Sequence, residues 1–328
     1  MLSSTRILDP SSSSDVTLAV DLLRAGEVVA LPTETVYGLG ADARNDRAVE
    51  KIFIAKGRPN NHPLIVHISS FEKITEWAKD VSPLAKKLAD AFWPGPLTML
   101  FHKADGVSDA VTGGLPTIGL RVPRNELFLE VLRQLDSGIA APSANLHKKI
   151  SPTCAEHVLS GLSGKIAAVF DAHACPVGLE STIVDLTSKI PRILRPGQIT
   201  RQMLEKVLKT KVDDFEPHDV SVAGNMVDHY QPTTKLLVLS AEQFMPFLTE
   251  ANKNKRRLGV LWFGAADLQQ NELIVSRVMP TSRELYAQQL YAALHEIDAV
   301  GAELILVQQP PKEWSEIIDR LQKASYKQ

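Results

Sequence analysis

Two cysteines, Cys154 and Cys175, are all the chain has in 328 residues. They are too few and too far apart for a CxxC metal or redox site, or for a disulfide framework. Both are read as reduced, small core residues. Aromatics are scarce at 6%, and no basic strand carries the interleaved aromatics on which nucleic-acid bases stack. Neither charge sign dominates: 36 Lys+Arg against 38 Asp+Glu leave −2. That balance argues against nonspecific nucleic-acid binding, although a local basic groove stays open. No apolar run reaches membrane-spanning length, and the N-terminus has no apolar signal segment, Ser11–Ser14 interrupting it. A soluble, cytoplasmic protein with no membrane contact is expected. The nine histidines show no HxH or HExxH spacing, so no metal centre is expected. GxGxxG, Walker and GxSxG motifs are all missing, and no Ser/His/Asp order is readable. There is no internal repeat.

What is present is 44% hydrophobic sequence, enough for two cored domains. Residues 1–210 mix helices with strands. Helices are expected over 15–25, 46–55, 82–91, 126–135, 155–159 and 200–209. Ser14 or Asp15, Asn45-Asp46 and Ser151-Pro152 supply start signals for three of them. Strands are expected over 27–31, 64–68, 97–101, 117–122, 139–141, 169–170 and 181–186, which together imply an α/β domain on a large twisted sheet. Residues 211–234 lose aliphatic content and period and read as a linker. From 235 to 328, strands 235–240, 257–263, 272–278 and 303–308 alternate with helices 241–252, 282–298 and 312–325. That pattern predicts a smaller, parallel, Rossmann-like α/β domain.

The richest stretch is 31–68. Pro32-Thr33-Glu34-Thr35 to Gly38-Leu39-Gly40 reads as a hydroxyl- and glycine-rich turn, and Lys56 and Arg58 flank Gly57 past a helix end. A guanidinium fork and a mobile ammonium near hydroxyls suit phosphate, and a solvated helix end is the plain alternative. His67 ends an apolar strand and reads first as a hydrogen-bonded core residue. Arg121 lies inside the apolar strand TIGLRV and needs a carboxylate, either a structural Asp or Glu or a ligand's. Pro142-Ser143-Ala144-Asn145 follows a strand, at the sheet edge where α/β proteins bind ligands, but alone it reads as a turn. Ser151 reads first as a helix cap, and a helix start also holds phosphate oxygen.

In order, PTETVYGLG, KGRP…PLIVHI, WPGPLT, GLRVP, APSAN, SPT, ESTIVDL and ILRPGQIT resemble the YrdC-like family. The C-terminal half resembles that family's longer, two-domain threonylcarbamoyl-AMP synthase branch, and His229-Tyr230-Gln231-Pro232 resembles the branch's HYAP element. The resemblance implies a YrdC-like twisted mixed sheet as catalytic domain. It implies a reaction of ATP, L-threonine and bicarbonate or CO2 to threonylcarbamoyl-AMP and pyrophosphate. The product would pass to a threonylcarbamoyl transferase that modifies tRNA beside the anticodon, with at most weak tRNA contact by this chain.

By the same resemblance Lys56 and Arg58 are catalytic. Arg58, His62, Thr117, Ser143, Ser151, Arg195 and Tyr230 hold ATP, with Tyr230 a lid from the linker. Thr35, His67, Arg121, Ala141 and Ser181 hold threonine. No cofactor is expected to bind tightly, and Mg2+ would come with ATP. His62 stands where the family has Asn, Ala172-His173 where it has two glycines, Ala223-Gly224-Asn225-Met226 where it has SPGM, and Gln231 where it has Ala. Two competing readings are an RNA-binding, ribosome-associated module and a carbamoyl-adenylate maturation factor. The second would want zinc-finger segments that the chain lacks.

Overall fold

The computed structural model describes residues 4–215, 220, 222, 224, 228–263 and 273–326. The chain divides into two compact units. The first is Met1–His147, Pro152–Pro176 and Glu180–Asn225; the second is Lys148–Ser151, Val177–Leu179 and Met226–Gln328. Part of the expected linker (216–219, 221, 223 and 225–227) lies outside the described residues, as does the start of the strand expected at 272.

The first unit's strands are β1 (Arg6–Leu8), β2 (Val29–Leu31), β3 (Gly38–Asp42), β4 (Ile65–His67), β5 (Ala78–Lys79), β6 (Leu97–Lys103), β7 (Thr117–Arg121), β8 (Ile139–Ala140), β9 (Ala168–Phe170), β10 (Thr182–Asp185) and β11 (Arg192–Arg195). Its helices are α1 (Ser13–Arg24), α2 (Asp46–Lys56), α3 (Pro83–Phe92), α4 (Asp109–Thr112), α5 (Glu126–Leu135), α6 (Ala155–Leu162) and α7 (Arg201–Leu208). The strands form one mixed sheet in the order β1-β9-β2-β3-β8-β4-β7-β6-β10-β11, with β5 on β6.

The sheet's middle places the site. His67 pairs with Arg121 across β4 and β7, Leu100 with Gly119 across β6 and β7, and Ile183 with Thr98 across β10 and β6. Side chains alternate faces along a strand. Val66, Met99, Phe101, Ile118, Leu120 and Val184 therefore enter the main core. Their neighbours Ile65, His67, Thr98, Leu100, Gly119, Arg121 and Ile183 share the opposite face, where Leu100 and Ile183 join Leu194 and Val222 in a smaller apolar cluster.

Three local expectations need correcting. The glycine-rich turn ends early, because Gly38–Asp42 pairs with β2 and β8 as a strand. A Cβ on Gly40 would stand 3.0 Å from Ile139 Cγ2 and 3.1 Å from Leu31 Cδ1. Glycine here serves close strand packing rather than a turn. Helix α1 is capped by Ser12, which accepts from the Asp15 N–H, two residues before Ser14 and three before Asp15. Ser151 does not cap α6, which starts after Cys154 with no side-chain cap. Asn45 and Gly57 do bound α2, Asn45 by accepting from Ala48 N–H and Gly57 in the left-handed conformation at φ 61.

The second unit has a parallel sheet in the order β12-β15-β13-β14. These strands are β12 (Leu236–Leu239), β13 (Leu258–Trp262), β14 (Ile274–Val278) and β15 (Leu304–Gln308), and the helices are α8 (Ala241–Lys253), α9 (Arg283–Ala299) and α10 (Ser315–Ala324). Among the described residues its three strand pairings are parallel, as the alternation of strand and helix predicts. Among the described residues, no helix is long and apolar enough to cross a membrane.

Candidate functional site

Lys56 is where structure and expectation part. It is the last residue of α2 and is buried. Its Nζ donates to the carbonyls of Ser143 (2.5 Å) and Asn145 (2.6 Å), with Asn145 Oδ1 at 3.4 Å. Three acceptors surround three donors, so the ammonium clamps the 142–145 turn. Burial first, and the Arg58 charge second, hold its pKa well below the ordinary 10.5, while three carbonyl-type acceptors favour the charged form. The apolar stripe of α2 already carried the signal, since Val49, Ile52, Phe53 and Lys56 fall on one helical face.

Arg58 leaves the left-handed turn at Gly57 half-buried. Its Nη2 donates to Pro63 O at 3.3 Å, and the guanidinium lies 5.9 Å from the Phe53 ring centroid. His62 is close by. Its pKa is lowered by burial and then by the Arg58 charge, so near neutral pH it is an uncharged imidazole.

A second group sits on the face of β4 and β7. Arg121 is buried and donates from Nε to Gly95 O (3.2 Å) and from Nη1 to Thr35 Oγ1 (3.0 Å). Its carboxylate partner is structural. Glu34 Oε1 stands 2.8 Å from Arg121 Nη2, and Glu34 Oε2 accepts from the Arg124 N–H at 3.0 Å. The Nη2–Oε1 contact is an ion pair without good hydrogen-bond alignment, so neither atom is hydrogen-bonded. Thr33 Oγ1 ties the turn, bonding Thr35 Oγ1 (2.8 Å) and Val36 O (2.7 Å).

His67 stands directly across from Arg121 on β4. It is buried, with no hydrogen-bond partner at Nδ1. Burial, then the Arg121 charge, hold its pKa well below 6.5. Above pH 6.5 the ring is neutral whether folded or not. Below it, the unfolded chain takes up a proton that the fold refuses, so stability falls with pH. Denaturation midpoints should decline between pH 7 and pH 5, and His67→Gln should remove part of that decline; equal slopes in both proteins would refute the assignment.

A third group joins β6, β10 and β11. Arg195 is buried; its Nε donates to Ser181 O (3.0 Å) and its Nη2 to Ser181 Oγ (3.1 Å). Ser181 Oγ also bonds Thr98 Oγ1 at 2.7 Å. Ala141 N–H is taken by Ile65 O at 3.0 Å. A small cleft lies on this sheet face, lined by Pro63, Thr98, Thr117, Gly119, Ile183 and Val222 among others. Pro63 O accepts from Arg58, and Thr98 Oγ1 bonds Ser181 Oγ.

Ser151 and Tyr230 belong to the second unit. Ser151 is buried, and its carbonyl contacts His295 Nε2 at 3.2 Å. Tyr230 is buried at φ 61, 5.6 Å from Tyr291 in a stacked pair, with the Arg320 guanidinium 5.5 Å from its ring centroid. Here its ring is part of an aromatic core. Cys154 and Cys175 are both free thiols, and burial pushes them up to about 11 and about 12. They fit the reduced reading.

Glu34, Asn145 and Thr98 were not singled out from the sequence. Glu34 lies within PTET and Thr98 within WPGPLT. Only Glu34 had an independent signal, the need of a mid-strand arginine for a carboxylate.

Residues 21–197 match the family Sua5_yciO_yrdC, described as "Telomere recombination", and residues 199–325 match Sua5_C, described as "Threonylcarbamoyl-AMP synthase, C-terminal domain". The chain is 36% identical over 328 residues to a threonylcarbamoyl-AMP synthase of Pyrococcus abyssi, covering 94% of each. It is 38% identical over 332 residues to the protein of that name in Bacillus subtilis, covering 97% of this chain and 96% of the other. Its fold is similar to the crystal structure of Pyrococcus abyssi Sua5 complexed with L-threonine, with a TM-score of 0.90 and 33% identity over 98% of this chain and 97% of that one. With one family match covering more than half of the chain, and such relatives spanning nearly all of it, the chain belongs to the Sua5–YciO–YrdC family and carries a Sua5-type C-terminal domain.

Proposed function

We propose that the chain is a threonylcarbamoyl-AMP synthase, joining ATP, L-threonine and bicarbonate or CO2 into threonylcarbamoyl-AMP with release of pyrophosphate. The observation that carries this reading is the sheet face itself. Pro63, which accepts from Arg58, and Thr98, which bonds the Ser181 that Arg195 also holds, line one cleft, and Arg121, bonded to Thr35, pairs with His67 on the neighbouring strand.

Arg58 and Arg195 meet the phosphates and offset the charge that builds as the carbamate oxygen attacks the α-phosphorus and pyrophosphate leaves. His62, Thr117 and Ser143 complete the nucleotide contacts of this unit. Arg121 offers the threonine carboxylate a guanidinium edge. Neutral His67, with its Nδ1 unused, and Thr35, Ser181 and the Ala141 backbone surround the rest of the amino acid. Lys56 acts at one remove by fixing the turn that carries Ser143. Most of the rate then comes from holding two substrates in line. Among the described residues, no three of His, Cys, Asp and Glu converge as a metal site, so Mg2+ would be carried in by the triphosphate. A transferase acting on tRNA consumes the product.

The test is pyrophosphate release from ATP in the presence of L-threonine and bicarbonate. Release that requires both supports the proposal. Release without threonine, or none at all, refutes it.

A further inference from the structure

Ser181 is held from two sides, and the two sides differ. Arg195 Nη2 donates to its Oγ at 3.1 Å, and Thr98 Oγ1 lies 2.7 Å from the same oxygen. A hydroxyl has two lone pairs and one proton. Arg195 takes one lone pair, and Thr98 takes either the second lone pair or the proton. In either case Thr98 decides what Ser181 has left for a ligand, a donor or an acceptor.

Thr98 is itself fixed. It is fully buried in β6, between β7 and β10. Its Cγ2 packs against Gly119, 3.3 Å from where a Cβ there would stand. A β-branched side chain has few χ1 choices, and this contact selects one. The methyl faces Gly119 and the hydroxyl faces Ser181. Both Thr98 and Gly119 line the cleft.

We propose that Thr98 is a positioning residue that couples the two substrate subsites through Ser181. The inference rests on the proposed assignment of Arg195 to the nucleotide and Ser181 to threonine. Phosphate bound at Arg195 reorients the guanidinium that donates to Ser181 Oγ. With Thr98 holding the opposite side, that change sets the hydroxyl's remaining valence toward the amino acid. Without Thr98 the hydroxyl rotates freely, and the nucleotide's arrival is not transmitted. Hydrogen-bonded networks of this kind carry energetic coupling that pairwise deletions expose.

The experiment measures the threonine Kd by calorimetry on the full chain, with and without a nonhydrolysable ATP analogue. In the wild type, the analogue should tighten threonine at least about fivefold, the lower end of ordinary coupling. Thr98→Val, nearly equal in shape, should bring that ratio close to one. Thr98→Ser keeps the hydroxyl and should restore most of the ratio. A purely structural threonine would lower the Tm of Thr98→Val and leave the ratio alone. An unchanged ratio in Thr98→Val, or no coupling in the wild type, overturns the proposal. Wild-type protein that releases pyrophosphate with threonine yet shows no coupling refutes the relay alone. Protein that neither binds threonine nor releases pyrophosphate refutes the functional reading beneath it.

Discussion

Arg58→Ala should lower threonine-dependent pyrophosphate release by at least about 100-fold, the usual loss when a group facing developing charge is removed. The fold should survive, because Arg58 is half-buried beyond the Gly57 cap and its bond to Pro63 O is a long one. Circular dichroism and the Tm check that condition. Arg58→Lys restores the charge and not the planar fork, so recovery should be partial. Activity of Arg58→Ala within about threefold of wild type would remove Arg58 from the transition state, since that corresponds to well under 1 kcal/mol of stabilisation.

Glu34→Ala should be the most damaging single change to stability within the site. It strips the partner from Arg121 in a pair whose side chains are 5% and 1% exposed. Truncating one member of a buried pair costs about 3–5 kcal/mol, because the other charge stays buried and uncompensated. The Arg124 N–H loses its acceptor as well. Urea unfolding monitored by fluorescence gives the number. Glu34→Gln keeps the shape and one acceptor oxygen and should cost less. A loss below about 1 kcal/mol in Glu34→Ala would mean that water or another group replaces the carboxylate.

Much of this was legible in the residues, for reasons that also explain the gaps. The long apolar strands and capped helices declared themselves by period, so β6, β7, α2 and α5 fall close to their expected ranges. β3 did not, because glycines at 38 and 40 speak for turns unless the neighbouring strand is known. β1 and β5 are three and two residues long, too short to show a period. At the site, Arg121's need for a carboxylate was readable, but not that Glu34 answers it from 87 residues earlier in sequence, a separation that only folding closes. Lys56 and Arg58 looked alike across one glycine. The left-handed turn at Gly57 separates them, one buried in the interior and the other half-buried with a bond to Pro63 O.

The pairing of β4, β7, β6 and β10 has an outcome for how such a chain can change over generations. The groups proposed to face the substrates occupy every second position, so the proposed site depends on strand parity as much as on residue identity. Deleting one residue inside Leu97–Lys103 or Thr117–Arg121 would turn Thr98 or Arg121 toward the core and push Met99 or Leu120 into the cleft. Point substitutions on that face keep the parity, whereas insertions and deletions are better tolerated in the loops. Divergence in this sheet is therefore expected as exchanges at fixed length.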